Sequence, residues 1–440
     1  GMAFLRTGSP LEEELGMLYY STERRGTGGI LRQRPEDFIV EEITHEGLIA
    51  NLNLQKLDRG GGKYTLAVLK KTSLDLIPTI SMLSKKLEAK VQFAGIKDRR
   101  AITYQLVSIE RPASQGDLSL KLKNIELKPV GRSRWGLMPG GLRGNRFTIK
   151  IRSIDPAVLD PQALLPMDWL PGFFGHQRFG TTRPNTHKVG RLLVKGDYEG
   201  AVREFLAEPY PNEPDSAQRA RSDLKEKWDL ERAYRDFPAS LTYERNLIKR
   251  MLKSPNDYEG ALEALPRTLL RFFVNSYQSY LFNLALSKRW ALYGLFEARE
   301  GDYIAPLDSW GAPSRPVKPS RSNIEKLQRM ISARRAVLMM RVVGKGTLLE
   351  GADLEVYDKI LKVEGLSLED FGQVLGMTFM GTLRFATFKP LNYEVVEHGS
   401  DELNQSRMYA VIRFSLPKGC YATVLLREIM RPVNPFLAGY

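Results

Sequence analysis

With 440 residues the chain exceeds what a single hydrophobic core usually holds, so two domains are expected, and 42% hydrophobic against 26% charged residues is the mixture of a globular protein with a sizeable core. The net charge of +14, from 65 Lys and Arg against 51 Asp and Glu, points to an anionic partner, nucleic acid first. No apolar run long enough for a membrane span and no secretory leader pattern is found, and the single cysteine, Cys420, excludes an intrachain disulfide, so a reducing cytoplasm is the expected setting.

The first thirty residues, ending in Gly26-Thr-Gly-Gly-Ile-Leu-Arg32, read as a meandering start rather than a core element. The Pro35 turn then feeds an extended segment in which Phe38 and Val40 face one way and Ile39 and Glu41 the other. Lys63 to Lys70 is a dense apolar strand. A helix follows, capped by Ser73 or Asp75, with Pro78 tolerable only in its first turn and Ile80, Leu83 and Leu87 on its apolar face. Next comes Gly95-Ile-Lys-Asp-Arg-Arg-Ala-Ile-Thr-Tyr-Gln105. It sets an acid, Asp98, after a turn and among Lys97, Arg99 and Arg100, just ahead of the alternating strand residues Ile102, Tyr104 and Leu106. Such an acid at the lip of a sheet is placed to stay anionic beside a phosphate-bearing substrate; the plainer reading is a charged surface turn.

Leu118, Leu120 and Leu122 alternate with Ser119, Lys121 and Lys123, predicting a half-exposed strand whose basic face is extended by Lys128, Arg132 and Arg134. A solvated, lysine-protected sheet edge and an RNA-backbone contact both fit this pattern. In Leu142 to Arg152, Gly144 and Asn145 suit a turn, after which Phe147, Ile149 and Ile151 alternate with Thr148, Lys150 and Arg152. Asn145 suits a base edge and Phe147 a stacked ring, although a Phe in this pattern is also an ordinary core residue.

Pro171 to Gly180 reads as an ordered connection between domains, followed by a mostly helical region and by peripheral helices and loops between about 207 and 240. Thr268 to Ser287 is the clearest long helix, with Phe272, Tyr280 and Leu284 in a broad apolar face. Asn323 to Met340 is read as another helix, with Ile324, Leu327, Ile331 and Leu338 on its buried side. Gly381 to Pro390 is expected to return the chain to the first domain. Met408 to Pro417 reads as a strand, and Gly419 to Ile429 as a glycine turn with a helix or strand.

Lys97-Asp98 followed by Ala101 and Thr103 resembles the signature of the TruD family of tRNA pseudouridine synthases. So do Pro35-Glu-Asp-Phe38 preceded by Arg32, Arg143-Gly-Asn-Arg-Phe147, Phe174 to Gly180, Tyr277 to Asn283 and Leu416 to Thr423, in family order from about residue 29 to 430. The resemblance implies an α+β fold: a pseudouridine-synthase catalytic domain (1–175 and 381–440) with a mixed, mainly antiparallel sheet and flanking helices. An inserted, mostly helical α/β TRUD domain (176–380) would interrupt it. It further implies Asp98 as the catalytic aspartate, Phe147 against the target base, Asn145 two residues before it and Phe38 near the pocket. Arg32, the implied partner of Asp98, falls where some members carry lysine, which keeps the charge and changes the hydrogen-bond geometry.

The reaction so implied is conversion of uridine to pseudouridine in tRNA, at uridine 13 of the D-arm. It involves no redox step or energy input, so no cofactor is expected. His45, His176, His187 and His398 show no metal-ligand spacing, so no metal is expected either. Arg32 or Lys97 would offset charge at Asp98. Arg99, Arg100, Lys121, Lys123, Arg132, Arg134, Arg146 and Arg178 are the candidate contacts to the RNA backbone. No membrane and no obligatory protein partner is indicated. The rival readings are a non-catalytic structured-RNA-binding protein and a metal-dependent nuclease. For the nuclease, Glu36, Asp37, Glu41 and Glu42 form only a loose acidic group.

Overall fold

The structure, a computed structural model, describes residues 2–112, 118–160, 162–165 and 167–440. The run Thr65 to Leu69 is buried on both sides because each face of its strand, Gly60–Thr72, has its own apolar cover. Helix Leu76–Leu87 packs Leu76, Ile80 and Leu83 on the face carrying Ala67 and Leu69. Leu57 and Leu137 close the other, over Leu66 and Val68. That helix is capped by the extended Asp75, takes Pro78 in its first turn where no intrahelical bond is lost, and ends at Glu88 in the left-handed region.

Around that strand lies the large sheet. Its order is Leu391–Ser400, Met408–Pro417, Gly144–Ile154, Phe38–Ile43, Ile102–Ile109, Gly60–Thr72, Ile125–Ser133 and Leu120–Leu122, with Ile49–Ala50 and Val91–Phe93 as short side pairings. Every pairing is antiparallel except Phe38–Ile43 with Ile102–Ile109. The sheet thus mixes strands from both ends of the sequence, as the α+β reading requires. Met408–Pro417 lies between Leu391–Ser400 and Gly144–Ile154. The helix Ala422–Met430, the outcome of the helix-or-strand alternative, is buried along its length.

Between those halves, seven α-helices from Thr186–Val194 to Arg267–Tyr293 lead to a small antiparallel sheet of Tyr303–Pro306, Ala336–Val342 and Thr382–Phe385. Arg267–Tyr293 is buried nearly all round. The residues named for it from sequence, Phe272, Tyr280 and Leu284, are half-buried, and the centre is taken by Phe273, Val274, Tyr277, Leu281 and Phe282. A helix with so little free surface has no single apolar face for periodicity to find.

Several expectations are corrected. Asn323 to Met340 is two elements: helix Ile324–Ser332 stops at Arg334, left-handed at φ 58°, and Ala336–Val342 is a fully buried strand carrying Leu338. Short apolar runs do not separate buried strand from buried helix by periodicity. The first thirty residues reach the core: Leu15 and Met17 are fully buried, and Glu12 is bonded to Arg427 (2.8 Å) and His176 (2.8 Å). The Arg427 guanidinium and the hydrogen bond with His176 hold the Glu12 carboxyl down to about 2 against its burial. Pro171 to Gly180 is likewise core, with Phe173 and Phe179 fully buried. Arg152 is buried between Asp37 (2.7 Å) and Asp401 (3.0 Å). The segment expected to return the chain, Gly381 to Pro390, first adds an edge to the small sheet. Return to the large sheet begins at Leu391.

Candidate active site

Register fixes the floor of the site. Phe147 lies opposite Phe414 on one side and Val40 on the other. Val40 lies opposite Thr103, and Thr103 opposite Lys71, so one row crosses five strands on one face. The next row begins with Asn145 opposite Glu42. The loop Ala94 to Arg100 lies over these rows and is tied down residue by residue. Gln105 Nε2 donates to the Gly95 oxygen (2.8 Å), Glu42 meets Lys97 Nζ (2.7 Å), and Lys71 Nζ donates to the Asp98 main-chain oxygen (2.9 Å). Gln105, Glu42 and Lys71 are all buried. Buried polar groups of this kind cost stability unless paired, and the loop supplies the partner for the Gln105 amide nitrogen, the Lys71 ammonium and one Glu42 oxygen.

Asp98 keeps 28% of its side chain exposed, and its carboxylate faces Arg32 Nη2 at 3.5 Å. Arg32 is only 3% exposed. It holds a left-handed φ of 59°, uncommon for a residue with a Cβ, and lies 3.8 Å above the Phe38 ring. Its remaining donors go to the main-chain oxygens of Gly439 (3.0 Å) and Arg100 (3.1 Å). Burial lowers the Arg32 pKa from its ordinary value, and Asp98 opposes that shift. A desolvated guanidinium over an aromatic face is worth about 2 kcal/mol, which helps hold the strained backbone in place. Phe38 in turn meets Phe147 edge-on (6.3 Å, 78°), and Phe147 stacks on Phe414 (5.5 Å, 25°).

These groups open on a cavity of about 290 Å³ lined by Phe38, Val40, Ile96, Lys97, Asp98, Asn145, Phe147, Gln177 and Cys420 to Thr423. That is near the lower end of small-ligand sites, roughly 300 Å³ upward, and suits one flat ring with its sugar. Asn145 Oδ1 is buried without a partner among the described residues, so an acceptor stands ready in the wall. Opposite the charged loop, Arg384 donates to Gly172 (2.7 Å), Phe173 (3.1 Å) and Gly419 (2.9 Å), holding the turn that carries Cys420 and Tyr421. Burial pushes the Cys420 thiol up to about 12, which leaves it a neutral wall residue.

The six residues expected at the pocket, Arg32, Phe38, Lys97, Asp98, Asn145 and Phe147, are brought together. The eight expected backbone contacts are scattered. Arg99 is exposed beside Asp75 (3.7 Å), and Arg100 donates to the Gly439 (3.1 Å) and Tyr440 (2.9 Å) oxygens. Exposed Lys121 and Lys123 sit on the far edge of the sheet, three strands or roughly 14 Å from Ile102–Ile109. Arg132 and Arg134 donate to the Gly62 and Gly60 oxygens. Arg146 forms a two-pronged pair with Glu41 (3.0 and 3.1 Å), adjacent in sequence to Phe147 and so on the opposite face. Arg178 donates to Ser279 (3.0 Å). Asp37, Glu41 and Glu42 each serve a different cation, Arg152, Arg146 and Lys97, instead of converging.

The family model described as tRNA pseudouridine synthase D (TruD) matches residues 14–429. The chain belongs to the TruD family. A Methanosarcina mazei relative named probable tRNA pseudouridine synthase D is 36% identical over 444 residues, covering 97% of this chain and 98% of its own. One of the same name from Pyrobaculum neutrophilum is 32% identical, covering 98% and 99%. A crystal structure of the Methanosarcina mazei TruD chain superposes with a TM-score of 0.76 at 35% identity, covering 97% of this chain and 99% of that one. Family membership makes the chain an isomerase of the pseudouridine-synthase kind. Within this TruD chain the sequence reading missed Gln105, Glu42 and Lys71 beneath the loop, and Gln177 and Tyr421 across the cavity. The signal for the first group was polar residues inside otherwise buried strands; for the second there was none beyond the family blocks.

Proposed function

We propose that this chain converts uridine to pseudouridine in tRNA, with Asp98 as the catalytic aspartate and uridine 13 of the D-arm as the target. The observation that carries the reading is the juxtaposition of Asp98 and the Phe38–Phe147 pair around one base-sized cavity, with Arg32 paired to the Asp98 carboxylate. In the reaction the C1′–N1 bond breaks, the base turns, C1′ joins C5, the C5 proton leaves and N1 gains a proton. Asp98 begins it either by attacking C1′ or by removing a ribose proton to give a glycal-like intermediate, and its partial exposure serves both routes. Phe147 stacks the uracil and offsets part of the cost of taking the base out of folded RNA, while Asn145 addresses its edge. The Arg32 guanidinium steadies charge at Asp98 without leaving its own hydrogen bonds.

The catalytic unit is proposed as residues 1–175 with 381–440, and the insertion as 176–380; the sharing of the large sheet by both chain ends supports this from Leu391 onward, while Thr382–Phe385 pairs with Ala336–Val342 of the small sheet. A cytoplasmic setting, where unmodified tRNA is met, belongs to the same proposal. The test is incubation of the wild type and Asp98→Asn with unmodified tRNA transcripts and site-resolved detection of pseudouridine. Product at position 13 from the wild type, with D98N slower by at least about a thousandfold and binding tRNA as before, is the expected result. Tight binding with no pseudouridine from the wild type would overturn it in favour of an RNA-binding protein.

A further inference from the structure

Lys71 is fully buried at the end of a central strand, on the same row as Phe147, Val40 and Thr103. A buried ammonium normally has a carboxylate against it. The hydrogen bond from Lys71 Nζ goes instead to the main-chain oxygen of Asp98, at 2.9 Å. Leu69, two residues earlier on the same face of the strand, is buried and apolar. Packing therefore gives no reason for a cation here, whereas the loop does.

We propose that Lys71 is a positioning residue of the reaction: its buried ammonium clamps the Asp98 main chain from below, so that the carboxylate faces the cavity and Arg32. The proposal rests on Asp98 being the catalytic aspartate. A main-chain clamp controls where the carboxylate starts from without occupying its oxygens, which stay free for ribose. The other loop ties, Gln105 to Gly95 and Glu42 to Lys97, act on the residues before Asp98 and cannot replace it.

Titration gives a readout that a merely structural residue would lack. Burial pushes the Lys71 ammonium down to about 8. The charged groups around it are Asp98 and Asp75, which oppose the shift, and Lys97, which adds to it. The clamp is thus charged below about pH 8 and neutral above it.

The experiment measures turnover, KM and tRNA affinity for wild type, Lys71→Met, Lys71→Arg and Asp98→Asn on one unmodified tRNA transcript, between about pH 6 and pH 9. K71M is expected to turn over at least about tenfold more slowly at neutral pH, with tRNA affinity within about twofold of wild type. It should also lack the alkaline decline that the wild type shows, and K71R should recover part of the rate. Lys71→Gln, which keeps a donor and drops the charge, runs through the same assays, so that a K71M that fails to fold leaves the question answerable. Wild-type turnover in K71M or K71Q, or an unchanged pH profile, overturns the proposal. Full activity in D98N would instead remove the reading of Asp98, whereas inactive D98N beside wild-type K71M removes the clamp alone.

Discussion

The two irregular segments that face each other across the cavity are held by opposite means. On one side, Ala94 to Arg100 is tied by charges: Glu42 to Lys97, Lys71 to the Asp98 main chain, Arg32 to the Asp98 carboxylate. On the other, the Gly419 to Tyr421 turn is held at the Gly419 oxygen by one guanidinium, Arg384, which packs against the rings of Phe174 (4.1 Å) and Phe385 (4.3 Å) and donates to main-chain carbonyls. Burial pushes Arg384 down to about 10. The difference teaches that the wall bearing Asp98 is built from interactions that set charge and direction, while the opposing wall is built from packing that sets distance.

Breaking the charged wall should have the largest effect. Glu42→Ala strands Lys97 in the interior and should cost about 3–5 kcal/mol, read by equilibrium denaturation, with turnover falling alongside. The double variant Glu42→Met with Lys97→Met should regain much of that stability but little of the activity, which separates the fold from the aim of the loop. A loss under about 1 kcal/mol in E42A would show that the pair does not hold this wall.

Breaking the packed wall should do less. Arg384→Met leaves the Gly419, Gly172 and Phe173 oxygens without their donor, and a loss of about 2–3 kcal/mol in denaturant is expected, with a smaller fall in turnover than E42A shows. Equal falls in turnover would mean that both walls steer the chemistry. The smallest effect belongs to the far edge of the sheet. Lys121→Ala with Lys123→Ala should leave turnover at saturating tRNA unchanged, weaken binding about two- to fivefold, and lower the salt slope by about 1–2. A reduced saturating rate would connect that edge to the pocket and spoil the contrast.

Much of the pocket was legible because its residues sit in short blocks with unusual local composition. Lys97-Asp98 and Asn145 to Phe147 stand out beside any helix or strand template, and the alternation at Phe147, Ile149 and Ile151 gave their strand its burial. The supporting residues were not legible. Lys71 ends a strand next to Lys70 and reads as an ordinary solvated lysine, and Gln105 reads as one polar member of an alternating strand. The pairing of Arg146 with Glu41 was not legible either, since a residue next to Phe147 in sequence lies on the other sheet face, where its partner comes from a neighbouring strand. The N-terminal segment was underrated because Glu12 acquires its meaning only from Arg427, which lies at the other end of the chain.

By itself, the sequence determined what depends on local chemistry and period: the positive charge, the long helix, several strands of the large sheet, and the short blocks that supply the pocket. Tertiary structure alone decided which strands became neighbours, and hence that Lys71 shares a row with Phe147 across three pairings and that the Arg32 guanidinium lies 3.5 Å from Asp98. Hydrogen-bonded pairing brings residues from distant parts of the chain within about 5 Å of one another. Burial then gives a lysine or an arginine a direction and a partner that its neighbours in sequence do not specify.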